Sequence, residues 1–492
     1  MKNINRSIHI CNGQIITDPT NSFIAESITI IDGTVHAHND DLPSGIEVLD
    51  LQGKTLVPGL IDSHLHLTLG ASALGHADLK KCNSRYEFEQ ILVQESKKIR
   101  DGRWLIASGW SEQTLSDSPD RSWIPESIVC PTICYRNDLH AAIVNSQGTE
   151  QLDLDAINKM VGGEDVLEGV FKEDALFYGL QPMVPDLSNH IKLKQSTRAL
   201  QDMQSFGLTM IGTMETLDDV LNILYEIDLS TLMRIRAMCF DEPTQMAFQK
   251  CDSFCNSDFL AITGLKTFLD GTLGSRTAKL YEPWNDASGN GELTQASQTI
   301  DEWVKLVSNA QFSPVIHAIG DQAVGIALKA LQNVNSSMIP RIEHAQLIHE
   351  KDINLIKGFC FGVQPLHVIN DSVIAVKSLG KQRANLLHDW RRMLDAGATL
   401  SFGSDWPVAP FDPIGAMGIA IAQGVTPQEA LVATTSDAAM SLRSPLAGNL
   451  TLGSFGDCVV LDANPLSIDW NTVSPKVQTT ILNGSIVYNV HA

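Results

Sequence analysis

Residues 59–67 read GLIDSHLHL, an apolar run that ends in two histidines one residue apart. Successive strand side chains alternate faces, so His64 and His66 project to the same side and can grip one cation. Seven further runs share this character: GLTMIGTME (207–215), MRIRAMCF (233–240), ITGLKTFLDG (262–271), SPVIHAIGD (313–321), PRIEHAQLI (340–348), GFCFGVQP (358–365) and ATLSFGSDWPV (398–408). Helical stretches are expected between them, over 192–206, 321–334 and 427–439. The last opens with Thr426-Pro427-Gln428-Glu429, an N-cap threonine with proline at the first helical position and glutamate at the third. Strand–helix alternation implies a parallel sheet, and eight such units imply an α/β fold of the TIM (β/α)8 barrel type.

Upstream of that stretch, residues 7–57 alternate short β-rich runs with NG, DG and QG turns, and the last forty residues do the same in GDCVVLDANP and VQTTILNGSIVYNV. Both chain ends therefore predict one small β-sandwich domain, residues 1–57 and 446–492, with the barrel occupying 58–445 between them. From His66 to Leu208 is about 140 residues, far beyond the roughly 2–6 of an ordinary βα loop. A substrate-covering subdomain is expected there, at about 75–190. His36-Ala-His38 repeats the two-histidine spacing, but it lies in the N-terminal hairpins beside the polar turn NDDLP and reads as a solvated edge.

The 492 residues, 43% apolar and 19% charged, exclude a disordered, collagen-like or coiled-coil chain. Setting 57 acidic against 35 basic side chains gives a net charge of -22. Such a field repels phosphate backbones and anionic lipid headgroups, so neither nucleic acid nor an acidic membrane is an expected partner. The start, MKNINRSIHICNGQIITD, lacks an apolar signal core, and no window holds ~18 uninterrupted apolar residues. A soluble cytoplasmic protein is expected. The nine cysteines sit mostly inside apolar runs and read as reduced, buried thiols. Neither Cys130/Cys134 nor Cys251/Cys255 has zinc-clip spacing.

A TIM barrel gathers its chemistry at the C-terminal ends of its strands, where polar residues interrupting apolar runs should be sought. His64 and His66 belong to the first strand, Lys266 lies in the fourth, His317 ends the fifth, His344 the sixth and Asp405 the eighth. His317 or His344 alone reads as a hydrogen-bonded core histidine. Four imidazoles and a carboxylate at strand ends together read as a metal site, suited to zinc or another borderline divalent ion and too nitrogen-rich for calcium or magnesium.

The segments GLIDSHLHL, GLKTFLDGTLGSRTA, HAIGDQA, RIEHAQ and FGSDWPV resemble the amidohydrolase superfamily of metal-dependent hydrolases, and more narrowly the branch containing N-substituted formamide deformylase. The resemblance spans nearly the whole chain. It implies two divalent ions, zinc by preference: one held by His64, His66 and Asp405, the other by His317 and His344, with a carboxylated Lys266 bridging them. An unmodified, salt-bridged Lys266 is the alternative. The implied reaction is hydrolysis of a non-peptide carbon–nitrogen bond in a small-molecule amide, N-formyl or N-acyl. A metal-bridging hydroxide attacks the carbonyl, and Asp405 carries the proton to the leaving nitrogen.

Around this set, Asp270 and Arg276 either orient substrate or a ligand or order their loop by a salt bridge. Asp321 reads as a helix N-cap. His140 matches a histidine of the branch and either meets the substrate carbonyl or is structural. Trp110 and Trp406 either wall an apolar pocket or are core. His367 ends the seventh strand and either lines the site or does not. Members of the family are often dimers, so a homodimer is allowed, although no segment marks an interface.

Two rival readings remain. A mononuclear deaminase typically places a glutamate two or three residues after the strand-five histidine, whereas His317 is followed by Ala-Ile-Gly-Asp. An inactive binding or regulatory barrel should have lost a ligand, and none is missing. A phosphate-handling barrel is set aside for lack of a basic cluster or glycine-rich loop after strands seven and eight.

Overall fold

A computed structural model describes residues 6–21, 23–40, 44–99, 103–115, 117–240 and 245–491; residues 41–43, in the polar turn after His38, lie outside them. Eight parallel strands form one sheet in chain order: β1 (Leu60–Leu65), β2 (Leu208–Glu215), β3 (Arg234–Cys239), β4 (Leu260–Phe268), β5 (Ser313–Ala318), β6 (Arg341–His344), β7 (Cys360–Val363) and β8 (Thr399–Phe402). Strands covered on both faces are apolar throughout rather than alternating, and every residue of β1, β2, β3, β5, β6 and β7 is buried.

The seam between β8 and β1 is closed at its C-terminal rim. Asp405 donates its N–H to the His64 carbonyl at 2.7 Å, and His66 donates to the Trp406 carbonyl at 2.9 Å. Asp62 accepts the Ser404 N–H at 3.0 Å and the His64 N–H at 3.2 Å. The approach needs a glycine, because a Cβ on Gly403 would lie 2.6 Å from the His64 Cβ. The closure of the barrel and the placement of three candidate ligands are therefore the same set of contacts.

Helices fall close to their expected places, at Asn189–Gln204 and Asp321–Leu331. The expected 427–439 helix is instead two, Pro427–Ala433 and Ser436–Ser441. Its start carries the capping box, Thr426 accepting from the Glu429 N–H and Glu429 from the Thr426 N–H. The break falls at Thr434 and Thr435, whose hydroxyls bond back to the Ala430 and Leu431 carbonyls and compete with the helical ladder.

The chain ends share one eight-stranded sheet, joined where Thr55–Pro58 pairs antiparallel with Cys458–Leu461. His36 is exposed there, and His38 Nε2 meets the Leu450 carbonyl at 2.7 Å, so this pair takes no part in the barrel mouth. Between β1 and β2 lies a five-stranded sheet running from Ala77–Asp78 to Val170–Lys172. Among the described residues no helix is long and apolar enough to cross a membrane.

Candidate metal centre

At the C-terminal rim, side chains from β1, β4, β5, β6 and the turn after β8 converge. Asp405 Oδ1 lies 3.3 Å from both His64 Nε2 and His66 Nε2, and Lys266 Nζ lies 3.2 Å from His64 Nε2. The His344 ring is 5.1 Å from that of His64 and 4.5 Å from that of His317, centroid to centroid. Nitrogen or oxygen atoms of His64, His344 and Asp405 lie within 4.8 Å of one another. The structure thus brings together all six residues picked from strand ends.

The rings are held from behind. His64 Nδ1 meets Glu343 Oε2 at 2.5 Å, His344 Nδ1 meets Gln364 Oε1 at 2.8 Å, and His317 Nε2 meets the Gly271 carbonyl at 3.2 Å. This leaves Nε2 of His64 and His344 and Nδ1 of His317 for a cation, the arrangement typical of ligating histidines. Burial holds His66 down to about 4 and His317 and His344 well below the usual imidazole range, so the rings are neutral and ready to ligate at pH 7. Burial by itself raises Asp405, but its contacts with His64 and His66 outweigh it and hold the carboxyl well below the usual carboxylate range. Burial pushes the Lys266 ammonium down to about 8 against the attraction of Asp405 and Glu343. His344 and Asp405 also sit at φ +71° and +56°. Left-handed backbone is uncommon outside glycine and persists where surrounding structure over-determines it.

The remaining candidates separate. His367 borders the cluster, its Nε2 3.9 Å from Asp405 Oδ2. His140, on the inserted sheet, is stacked 5.8 Å from the His317 ring with its Nδ1 held by Glu173 at 2.8 Å. A pocket between barrel and insertion is lined by His140 and Arg136 on one side and His317, His344, His367 and Asp405 on the other. Asp270 is not among its lining residues. It accepts the backbone N–H groups of Lys279, Gly320 and Ile319 at 2.8, 2.9 and 3.0 Å, which orders its loop, and its Oδ1 lies 3.8 Å from His317 Nε2, behind a candidate ligand. Arg276 is likewise spent within its loop, paired with Asp286 at 2.8 Å. Trp110 is not brought to the pocket. It is buried in the core of the inserted sheet and donates its indole N–H to the Cys134 carbonyl at 2.7 Å. Trp406 packs flat on Gly70, where a Cβ would come within 2.3 Å of the ring. Asp321 is the first helical residue rather than the N-cap, which is Gly320, and its carboxylate accepts the Tyr281 N–H at 2.9 Å.

Sequence reading passed over Glu343, Gln364, Glu173 and Asp62. For Glu343 a signal existed: Arg341 and Glu343 are two charged residues in one four-residue buried strand, a pairing that is costly unless each satisfies the other. Glu173 carried none, since its partner His140 is 33 residues away.

A family model described as the amidohydrolase family matches residues 47–488. Protein LONG AFTER FAR-RED 3 of Arabidopsis thaliana is 26% identical, over 97% of this chain and 91% of its own. The N-substituted formamide deformylase of Arthrobacter pascens is 23% identical over 94% of each chain. A crystal structure of an uncharacterized metal-dependent hydrolase from Pyrococcus furiosus matches with a TM-score of 0.75 at 26% identity, covering 94% of this chain and 100% of that one. With the family match extending over most of the sequence, from the end sheet through the barrel and its ring of histidines, the chain belongs to the amidohydrolase family.

Proposed function

We propose that the protein is a metal-dependent hydrolase that cleaves a non-peptide carbon–nitrogen bond, an N-formyl or N-acyl amide, in a small molecule. The donor set fits divalent ions of the zinc type: neutral imidazoles with their outer nitrogens already bonded, beside an ionised carboxylate. His64, His66 and Asp405 would hold one ion, His317 and His344 a second, and Lys266, carboxylated at Nζ, would lie between them. When bound, such ions supply Lewis acidity toward a carbonyl oxygen and toward water.

The chain's own groups do the rest. The Asp405 carboxylate, ionised at neutral pH, takes the proton of the attacking water and returns it to the leaving nitrogen, because an amine departs poorly as an anion. His140 faces the pocket with Nδ1 tied to Glu173, so its other nitrogen can orient the substrate carbonyl. Arg136 and His140 of the insertion line the side of the pocket that faces the candidate ligands.

The observation that carries this reading is the approach of His64 and His66 to the Asp405 carboxylate at 3.3 Å each, with Lys266, from a separate strand, 3.2 Å from His64. It is tested with purified protein, assayed for metal and offered N-formyl, N-acetyl and cyclic amides. Stoichiometric divalent metal and turnover of at least one linear amide are expected. His64→Ala and Asp405→Ala should lower that turnover at least ~10²-fold in folded protein. Folded variants that keep full turnover overturn the assignment.

A further inference from the structure

We propose that Glu343 is a positioning residue that fixes the tautomer of His64 and so sets how tightly the centre holds its ion, an inference that rests on the metal-dependent reading above. Glu343 is fully buried on β6 between His64 and Arg341, whose Nη2 lies 3.3 Å from the same Oε2 that meets His64. Oε2 lies 2.5 Å from His64 Nδ1, and Oε1 lies 2.8 Å from Arg341 Nε. Arg341, equally buried, is pinned in turn to the Ser63 carbonyl on β1 and to the Ser441 hydroxyl, each at 3.2 Å. A carboxylate only accepts hydrogen bonds, so Nδ1 carries a proton; in the neutral ring that ligation requires, the lone pair is then on Nε2, the nitrogen that faces Asp405 and Lys266.

The surroundings leave Glu343 no second position. A Cβ on Gly362 of β7 would stand 2.0 Å from Glu343 Oε2 and 2.7 Å from Arg341 Nη2, so the neighbouring strand carries no side chain where the carboxylate must fit. Burying an ion pair of this kind is weak evidence for stability, because desolvation offsets the attraction. What the pair does supply is geometry: it reaches from β6 through β1 to the ring that the barrel seam also fixes. A carboxylate behind a ligating histidine both orients the ring and raises its basicity, and loss of such a partner typically weakens metal binding about 10–100-fold.

The test is zinc affinity, measured by competition with a chromophoric chelator on the full chain. Glu343→Gln, matched in shape but uncharged, should bind zinc about 10–100-fold more weakly than the parent. A folded Glu343→Gln within twofold of the parent overturns the proposal. If the parent itself binds no zinc, the metal-dependent reading fails instead. The tautomer is read independently, by nitrogen NMR of histidine-labelled, metal-free parent protein, with the His64 signals assigned by their loss in His64→Asn. This measurement also decides the matter if Glu343→Gln does not fold. A protonated Nδ1 and an unprotonated Nε2 are expected, and the reverse tautomer overturns the proposal.

Discussion

Lys266 stands on β4 with Nζ 3.2 Å from His64 Nε2 and 4.9 Å from the centre of the Phe268 ring, and burial there pushes its ammonium down to about 8. Only the neutral amine can attack carbon dioxide, forming the N–C bond of a carbamate and releasing a proton. Raising the pH from 6 to 8 therefore lifts the reactive fraction from about 1% to about half. If the centre needs a carboxylated Lys266, dissolved carbon dioxide held at the same free concentration should speed zinc uptake by metal-free protein much more at pH 8 than at pH 6, and Lys266→Gln should not respond. Equal responses at both pH values, or an unaltered response in Lys266→Gln, would sink the carboxylation. At this scale the ligands were legible because a lone polar group ending an apolar run is costly unless it has work to do. Their partners were not: His64 and Glu343 are 279 residues apart, and only the closed barrel makes them neighbours. Trp110 and Arg276 misled for the converse reason, since the same side chain types serve a core or a loop equally well.

Between residue and fold, the element that matters most is the short helix Leu67–Ala73, which begins at His66 without a capping side chain of its own. Strand β2 supplies the caps instead. Thr213 Oγ1 accepts the Leu67 N–H at 3.0 Å, and Glu215 accepts the Thr68 N–H at 3.1 Å and the Thr213 hydroxyl at 2.5 Å. Burial pushes the Glu215 carboxyl from 4.5 up to about 7, although these hydrogen bonds act against it. Folded protein thus holds this proton across a range in which unfolded protein has lost it. The contribution is fully present below about pH 4.5 and is lost as pH rises through about 7, a span worth about 3 kcal/mol. Glu215→Gln should flatten the fall in unfolding free energy between pH 5 and 7, as followed by denaturant titration. An unchanged slope would place the proton elsewhere. The eight barrel strands were readable as elements because burial on both faces makes them continuous apolar runs. The inserted sheet was not, because strands of two to six residues such as Ala77–Asp78 and Val170–Lys172 show no period long enough to detect.

For the molecule as a whole, the end sheet and the barrel are coupled far from the metal centre. Arg234 opens β3 at the barrel's N-terminal end and pairs with Asp457, Nε to Oδ2 at 2.5 Å. Asp457 directly precedes the strand Cys458–Leu461 that joins the two chain ends; its other oxygen accepts the Asn483 N–H at 2.8 Å, and its carbonyl accepts the Gly59 N–H at 2.8 Å. The guanidinium is stacked between Phe455 and Phe259, 3.6 and 4.6 Å from their ring centres, and Arg234 is only 1% exposed. It cannot turn to water when its partner is removed. Asp457→Ala should therefore cost about 3–5 kcal/mol of stability, the penalty for a buried charge left unpaired. Because the pair sits at the opposite end of the barrel strands from His64, zinc affinity should not change. Denaturant unfolding at fixed zinc, with chelator competition on the same preparation, separates the two quantities. A loss under about 1 kcal/mol would show that Arg234 finds another partner. A parallel fall in zinc affinity would show that the end sheet holds the rim as well as the floor, through Gly59 and the strand β1 that follows it.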